Sequence, residues 1–297
     1  MDSFCMSNDQ NVSFIINKAF LLAIPPYFVY NDFGDTMDYA KRLTQVFKTE
    51  DIKIEHVKDK GISINKYIAD SGYCSRRKAD ELIQSGVVTL NGMTAALGMR
   101  VEKNDIVKID GAVVKPIEDK VYIVLNKPEG IVCTTERHIE NNIVDYMRLD
   151  EVIFPIGRLD KDSRGLILLT NDGDIVNKIL RVEYGHEKEY KVEVDKPLTK
   201  SFIDYMEQGV VIFNLKTKKF QQTEPCKLIQ EDDTHFRIIL KQGMNRQIRR
   251  MTTALGYEVV SLERIRIMHI TKTDLPVGYY RYLTNDELIK LNQSIQK

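Results

Sequence analysis

From Gly61 onward the chain alternates between short stretches with helical spacing of apolar residues and stretches typical of strands. The segment ISINKYIADSG predicts a short helix that ends at Gly72, since glycine readily takes the left-handed conformation that closes a helix. Ser75 is a suitable N-cap for a second helix, whose apolar positions recur at helical spacing up to Gly86. The pattern therefore predicts a compact helix pair.

A small β-rich segment follows the helix pair. VVTLNGMTA predicts a hairpin that turns at Asn91 and Gly92, and DIVKIDG predicts a further short strand. We expect this unit to span residues 60–111 and a linker to span 112–120. Residues 1–59 carry no interpretable motif and are expected to form an N-terminal extension of unknown role.

The remainder, residues 121–297, predicts a second and larger domain. VYIVLNKPEG predicts a strand ended by a turn, and FPIGRLD and LILLT predict two strands joined across 161–165. NDGDIVNKILR then predicts a helix, HEKEYKVEV a strand, and FRIILKQGMNRQIRRMTTALG a strand that leads into a helix. The fold class predicted is α+β, with a largely antiparallel central sheet and flanking helices.

Composition narrows the class of protein. The 297 residues carry no formal net charge, but residues 237–272 contain eight basic and only two acidic residues. The four cysteines lie far apart without metal-ligand spacing, which predicts no metal site and a reducing, cytoplasmic location. The longest apolar run, residues 19–30, is too short to span a bilayer and contains two prolines, so we expect no membrane partner.

Three cations occupy the first turn of the second predicted helix: Arg76, Arg77 and Lys78. The helix macrodipole disfavours cations there, and broken local rules often mark functional positions. Cations at such a helix start could bind RNA phosphates, which supply most sequence-independent affinity. On these residues alone, a solvated charge run explains them equally well.

A longer stretch of this unit resolves that ambiguity. INKYIADSGYCSRRKADELIQSGVVTLNG, followed by LGMRVEKNDIVKIDG, resembles an S4 RNA-binding domain. The resemblance implies a small module that binds structured RNA, with the SRRKAD helix start among its contacts.

The second domain contains one carboxylate in an unusual place. Asp160 lies in GRLD at the edge of an apolar strand, where a carboxylate is costly unless it is paired or held for chemistry. Taken singly, GRLD could be an ion pair, Tyr190 a core residue, and the RQIRR arginines a solvated helix face. Together, NKPEG, GRLDKDSRGLILLTNDGD, EKEYKV and GMNRQIRRM resemble the RsuA/RluB/RluE/RluF family of pseudouridine synthases.

The resemblance implies isomerisation of a uridine to pseudouridine in ribosomal RNA, most closely that of the large (23S) subunit. This reaction involves no net redox change or hydrolysis, so it requires neither nicotinamide nor metal, and the chain lacks GxGxxG and Walker motifs. We therefore expect no cofactor, an RNA partner and a monomeric enzyme.

The resemblance also assigns the catalytic residues. Asp160 would act at the sugar, as a nucleophile at C1′ or a base at C2′. Arg249 would pair with Asp160 and keep it ionised, because desolvation alone would raise its pKa. Tyr190 would stack on the uracil.

A further set of residues would bind substrate: Arg158, Lys127, Leu240 and Arg246. Arg158, two residues before Asp160 and on the same predicted strand face, would fill the space left by a flipped uridine. Lys127 would form the pocket floor, with a structural role at least as well supported as a catalytic one.

Three alternatives remain at the level of sequence. Asp160 and Asp162 could share a strand face at roughly 6–7 Å and act as a glycosidase-like pair. The chain could also be a non-catalytic S4-type RNA-binding protein. A pseudouridine synthase acting on 16S ribosomal RNA or on transfer RNA is the third.

Overall fold

The computed structural model describes residues 61–149, 151–180, 185–215 and 217–296; the predicted extension, residues 1–59, lies outside them. The first unit contains the two expected helices, α1 (Ile64–Asp70) and α2 (Arg76–Gln84). The Ser75 side chain accepts a hydrogen bond from the Lys78 backbone NH (3.2 Å), which confirms the predicted N-cap.

The strands of this unit form two small sheets. β1 (Ile62–Ser63) pairs with β4 (Arg100–Val101), and the other sheet has the order β3-β2-β5-β6. Its strands are β2 (Val88–Leu90), β3 (Met93–Thr94), β5 (Val107–Ile109) and β6 (Ala112–Val114). Asn91 and Gly92 both have positive φ at the β2–β3 turn, as a two-residue hairpin with right-handed strand twist requires.

The boundary of this unit lies further along the chain than the sequence predicts. Ala112–Val114 was expected to begin a linker, but it forms β6, which pairs with β5 and places Val114 in the core of the first unit. The physical reason is the turn at Asp110 and Gly111: both have positive φ, so the chain reverses there and continues the sheet.

Within the described residues, nine strands form the large sheet of the second unit, with the path β13-β14-β10-β15-β9-β7-β17, while β16 pairs with β15 and β8 with β9. The strands are β7 (Tyr122–Lys127), β8 (Phe154–Ile156), β9 (Arg164–Thr170), β10 (Lys188–Val194), β13 (Lys227–Gln230), β14 (His235–Leu240), β15 (Val259–Ile267), β16 (Ile270–Thr271) and β17 (Tyr280–Tyr282). Of these pairings only β15–β9 is parallel, so the sheet is largely antiparallel as predicted.

Five helices cover this sheet in the described part of the chain: α3 (Ile143–Met147), α4 (Gly173–Leu180), α5 (Lys200–Gln208), α6 (Gln247–Ala254) and α7 (Asn285–Ile295). Strand alternation divides the core between the two faces. Val124 on β7 packs with α4 and α7 on one face, whereas its neighbours Ile123 and Leu125 pack with α3 on the other. β7 is therefore buried on both faces, which explains its continuous apolar run.

The segment GRLD is not part of a strand. β8 ends at Ile156, and residues 157–163 form a loop, which we call the aspartate loop. The reason is tertiary: β8 and β15 share one edge of β9, with Ile156 paired to Leu168 and Arg264 paired to Gly165. Because β15 occupies the rest of that edge, β8 cannot extend and the chain turns away at Gly157 (φ +79°).

No helix in the described ranges is long and apolar enough to cross a membrane.

Candidate active site

The aspartate loop carries Asp160. It lies next to the edge of β9 along which β8 pairs with residues 168–170 and β15 pairs with residues 164–165. A turn hydrogen bond from the Ser163 NH to the Asp160 carbonyl (3.1 Å) shapes the loop, and the Gly130 NH binds the Lys161 carbonyl (2.8 Å). The Asp160 side chain is 26% exposed. It is therefore sheltered but still reachable by a ligand.

A row of cross-strand partners runs under this loop. Tyr190 on β10 is opposite Arg264 on β15, Arg264 is opposite Gly165 on β9, and Gly165 is opposite Lys127 on β7. Directly paired residues point to the same side of a sheet, so the three side chains lie on one face. Gly165 contributes none, which leaves a gap in the row between Arg264 and Lys127.

Gly165 also permits the close approach of β15. A Cβ atom added to it would lie 2.3 Å from the carbonyl oxygen of Arg264, a distance that backbone atoms cannot accommodate. Its φ of +107° is another reason why only glycine fits. The glycine of the sequence segment DSRGL is thus explained by backbone packing beneath the aspartate loop.

The arginines of α6 contact the loop in a different arrangement from the one predicted. Arg246, the residue that precedes α6, binds Asp162 through both terminal nitrogens, at 2.9 Å and 3.1 Å. It is also the nearest cation to Asp160, at 3.8 Å between Nη1 and Oδ2. The hydrogen bond from Arg246 holds the pKa of Asp162 below its usual range.

The predicted ion pair between Arg249 and Asp160 is wrong in this structure. Arg249 instead donates to the Asp162 carbonyl (2.8 Å), the Ser163 hydroxyl (3.3 Å) and the Val259 carbonyl (3.2 Å). Its Nε lies 3.5 Å from the Asp162 carboxylate. Arg249 is engaged by the backbone of the loop because it lies within the first turn of α6, whereas Arg246 lies before that turn and reaches the carboxylates.

Lys127, at the β7 end of the row, is fully buried. Its ammonium donates to the Pro128 carbonyl (2.8 Å) and the Ile131 carbonyl (3.0 Å), and burial lowers its pKa to about 8. These two bonds close the KPEG turn, whose Gly130 NH holds the aspartate loop. The contacts favour the structural interpretation of Lys127 as the support of the pocket floor.

The remaining predicted residues of this domain have different environments. Tyr190 is half-buried and packs against the hydrophobic clusters on both sides of the row. Leu240 on β14 is buried in the core and pairs with Lys188 of β10. Arg158 is exposed in the aspartate loop, so its predicted placement on a strand face with Asp160 is wrong.

Three residues outside the predicted set of site residues also belong to the site: Asp162, which the sequence suggests only as the partner of Asp160 in a glycosidase-like pair, Ser163 and Arg264. Asp162 and Ser163 hold the arginines of α6. Arg264 is only 6% exposed, and its Nε donates to the Leu166 carbonyl (2.6 Å), at the edge position of β9 left between β8 and β15. The basic cluster of residues 237–272 contained the signal for Arg264, but nothing local distinguished it from its neighbours.

The site also decides against a hydrolytic pair of aspartates. Asp160 and Asp162 lie in a loop rather than on one strand face, and Asp162 is held by Arg246 in a bidentate contact. A carboxylate so occupied is a poor general base. Among the described residues, no group of three or more His, Cys, Asp or Glu side chains is placed to hold a metal ion.

In the first unit, the predicted RNA-binding cations are presented to solvent. Arg76, Arg77 and Lys78 are all exposed on the first turn of α2. Lys78 also pairs with Glu81 at 2.8 Å, an exposed contact of small energetic value.

Each of the two units matches a known protein family. Residues 63–107 match the S4 domain, and residues 121–254 match the RNA pseudouridylate synthase family. The chain is similar to the dual-specificity RNA pseudouridine synthase RluF of Escherichia coli (strain K12), with 52% identity over 240 residues that cover 80% of this chain and 81% of that protein.

Two further similarities extend this result. Ribosomal large subunit pseudouridine synthase B of Bacillus subtilis (strain 168) is 34% identical over 235 residues, covering 77% of this chain and 94% of that protein. The crystal structure of a pseudouridylate synthase superimposes with a TM-score of 0.56 at 29% identity, covering 78% of this chain and 100% of that one.

Proposed function

The chain belongs to the RNA pseudouridylate synthase family, and from that premise we propose that it isomerises uridine in ribosomal RNA, with Asp160 as the catalytic carboxylate. The assignment of ribosomal RNA, most closely that of the large subunit, is supported by the similarity to ribosomal large subunit pseudouridine synthase B of Bacillus subtilis. The enzyme would act as a monomer and without a cofactor, with an S4 domain that extends through β6 to Val114 and residues 121–297 as its catalytic domain.

The reaction defines what the site must supply. The N1–C1′ bond of uridine breaks, the uracil turns, and C5 becomes bonded to C1′, after which C5 loses its proton and N1 gains one. A carboxylate can assist by attacking C1′ or by removing a proton from C2′. Either step needs an ionised carboxylate with a free lone pair.

The observation that carries the assignment is the contrast between the two aspartates of the loop. Asp162 is held by Arg246 through two hydrogen bonds, whereas the Asp160 carboxylate accepts no hydrogen bond from any described residue. Arg246, its nearest cation among the described residues, lies 3.8 Å away and leaves both oxygens of the carboxylate without a hydrogen bond. Asp160 is therefore the carboxylate available to a substrate.

The surrounding residues have supporting roles in this proposal. Tyr190 provides a half-buried ring on which uracil stacks, and stacking tolerates the rotation of the base. Arg249 positions the aspartate loop by donating to the Asp162 carbonyl and the Ser163 hydroxyl, so its effect on catalysis is indirect. Arg158 is exposed beside Asp160 and would enter the space left when uridine leaves its stack.

Binding of the larger RNA would involve the S4 unit. Arg76, Arg77 and Lys78 form an exposed cationic turn suited to phosphates, and Arg246 would contact the substrate at the mouth of the site. Leu240 would contribute only through packing, because it is buried in the core.

One experiment tests the proposal as a whole. Pseudouridines are mapped in ribosomal and transfer RNA from cells with and without the gene. We expect a site in the large-subunit RNA to disappear on deletion and to return with the wild-type gene, but not with Asp160→Asn. Loss of a site only in transfer or small-subunit RNA would redirect the substrate assignment, and no lost site would overturn it.

A further inference from the structure

A hairpin beside the candidate active site exposes an aromatic pair to solvent. It consists of β11 (Val211–Asn214) and β12 (Lys219–Gln222), in which Phe213 is the cross-strand partner of Phe220. The two rings are 5.4 Å apart between centroids at an interplanar angle of 70°. Phe220 is nevertheless 75% exposed, so the pair is only partly covered by its own contact.

The apolar surface extends beyond these two rings. Val211 lies on the same face as Phe213, two residues earlier on β11, and Leu215 follows the strand; both are more than half exposed. Isolated exposed apolar residues are ordinary, but a contiguous group on a two-stranded hairpin marks a contact surface.

The charge of the hairpin indicates what this surface contacts. The segment NLKTKKFQQ, residues 214–222, contains three lysines and no acidic residue. Lys218 and Lys219, directly before Phe220, are both exposed. A solvent-facing aromatic ring flanked by lysines suits a nucleobase stacked on the ring with its phosphates on the ammonium groups.

The hairpin is connected to the site through α6. Arg250 on α6 donates a hydrogen bond to the Phe213 carbonyl. The Asn214 amide lies 3.7 Å from the sulfur of Met244, just before the same helix. Arg246, one turn before Arg250, binds Asp162. One helical turn thus supports both the hairpin and the aspartate loop.

We propose that the β11–β12 hairpin is a second RNA contact of the catalytic domain, at which an unpaired base next to the target uridine stacks on Phe220. The proposal rests on the proposed function, because it assumes that RNA occupies the aspartate loop. It adds a binding surface that belongs neither to the uridine pocket nor to the S4 unit.

The test compares full-length Phe220→Ala with Phe220→Trp and with a matched control, Tyr205→Ala. Tyr205 is an exposed aromatic residue on α5, with 59% of its surface accessible. Ribosomal RNA from cells lacking the gene serves as substrate. We expect Phe220→Ala to raise KM and the dissociation constant roughly 5- to 100-fold with little change in kcat, since a lost stack weakens binding rather than chemistry.

Phe220→Trp should retain affinity because it keeps a stacking surface, and Tyr205→Ala should match the wild type. In a separate variant, Lys218→Ala with Lys219→Ala should lower the salt dependence of binding by up to about two units of slope. Unchanged KM and dissociation constant in Phe220→Ala would overturn the proposal while the wild type remains active. A wild type without activity would instead remove the proposed function.

A second copy of the chain is the competing occupant of this surface. Light scattering of wild type and Phe220→Ala distinguishes it. If the wild type is a dimer that Phe220→Ala dissociates, and RNA affinity is unchanged, the hairpin is a protein interface and the RNA proposal is wrong.

Discussion

Two helices of this protein begin with clustered cations, and the two clusters have opposite environments. At the start of α2, Arg76, Arg77 and Lys78 are exposed, and their only ion pair within the described residues is that of Lys78 with Glu81. At the start of α6, Arg246 and Arg249 are bound to the side chain and backbone of the aspartate loop. Similar sequences, SRRK and NRQIRR, thus form a solvent-exposed cationic surface in one case and a clamp on the aspartate loop in the other.

The difference shows that a cluster of cations at a helix start does not by itself indicate a ligand-binding surface. Exposed cations retain their donors for a ligand and contribute to affinity through released counterions. Cations that lie between structural elements donate their hydrogen bonds to the protein itself and fix the position of the elements they contact. Mutations in the two clusters should therefore change different quantities. Those at the start of α6 should change kcat and the free energy of unfolding, whereas those at the start of α2 should change RNA affinity.

The largest effect is expected at the residue that the α6 clamp positions. Asp160→Asn keeps the side-chain shape but removes the charge needed at the sugar, so release of tritium from C5-labelled uridine should fall below detection while RNA binding persists. Asp162→Asn is the matched control and should keep measurable activity, since its carbonyl still binds Arg249. Substantial activity in Asp160→Asn would exclude this carboxylate as the catalytic group.

Arg249→Ala should produce the next largest effect. It strands the acceptors on Asp162, Ser163 and Val259, so we expect a loss of about 1–3 kcal/mol in the free energy of unfolding. The displaced loop should lower kcat by roughly 100-fold. Urea denaturation and single-turnover kinetics measure the two losses.

Two further variants sharpen this result. Arg249→Lys should restore little, because an ammonium cannot span three acceptors in a planar fork. Added to Asp160→Asn, the Arg249→Ala change should lower stability but not the already absent activity. Unaltered kcat in Arg249→Ala would show that the loop holds its geometry without the clamp.

For the α2 cluster, the triple change of Arg76, Arg77 and Lys78 to Ala should act on binding alone. The slope of log affinity against log salt should fall by up to about 3 units, whereas kcat at saturating RNA and stability should change little. Stability should shift by less than about 0.5 kcal/mol, in the favourable direction if the macrodipole contributes. Replacement of three exposed lysines outside α2 provides the control: Lys103, Lys108 and Lys115. An equal decrease of the slope in both variants would show that the α2 cations contribute no more to RNA binding than other exposed lysines.

The smallest effect concerns pH. Arg246 lowers the pKa of Asp162 in the folded protein, so this pair contributes stability above the unfolded pKa, near 3.9, that is lost as pH falls through the folded value. The stability difference between wild type and Arg246→Ala should therefore be constant near neutrality and shrink below about pH 4. Because Asp162 is half exposed, we expect less than about 1 kcal/mol. A difference that grows on acidification would contradict the pairing.

Much of the local structure could be predicted from the sequence. The two helices of the first unit, the N-cap at Ser75 and the turn at Asn91 and Gly92 follow from interactions within a few residues, and the structure contains all of them. Asp160 was identified from a motif, and its identification needed no contact at all. Its proposed role now rests on the structure as well, through its free carboxylate.

Long-range contacts decided the rest. The apolar residues of FPIGRLD predict a strand over the whole segment, but β8 and β15 compete for one edge of β9, so the strand ends at Ile156 and GRLD forms a loop. The pairing of Arg246 with Asp162 joins residues 84 positions apart. Three arginines within one helical turn are equivalent in a sequence pattern, and only the placement of the aspartate loop and the β11–β12 hairpin around that turn determines which acceptor each one reaches.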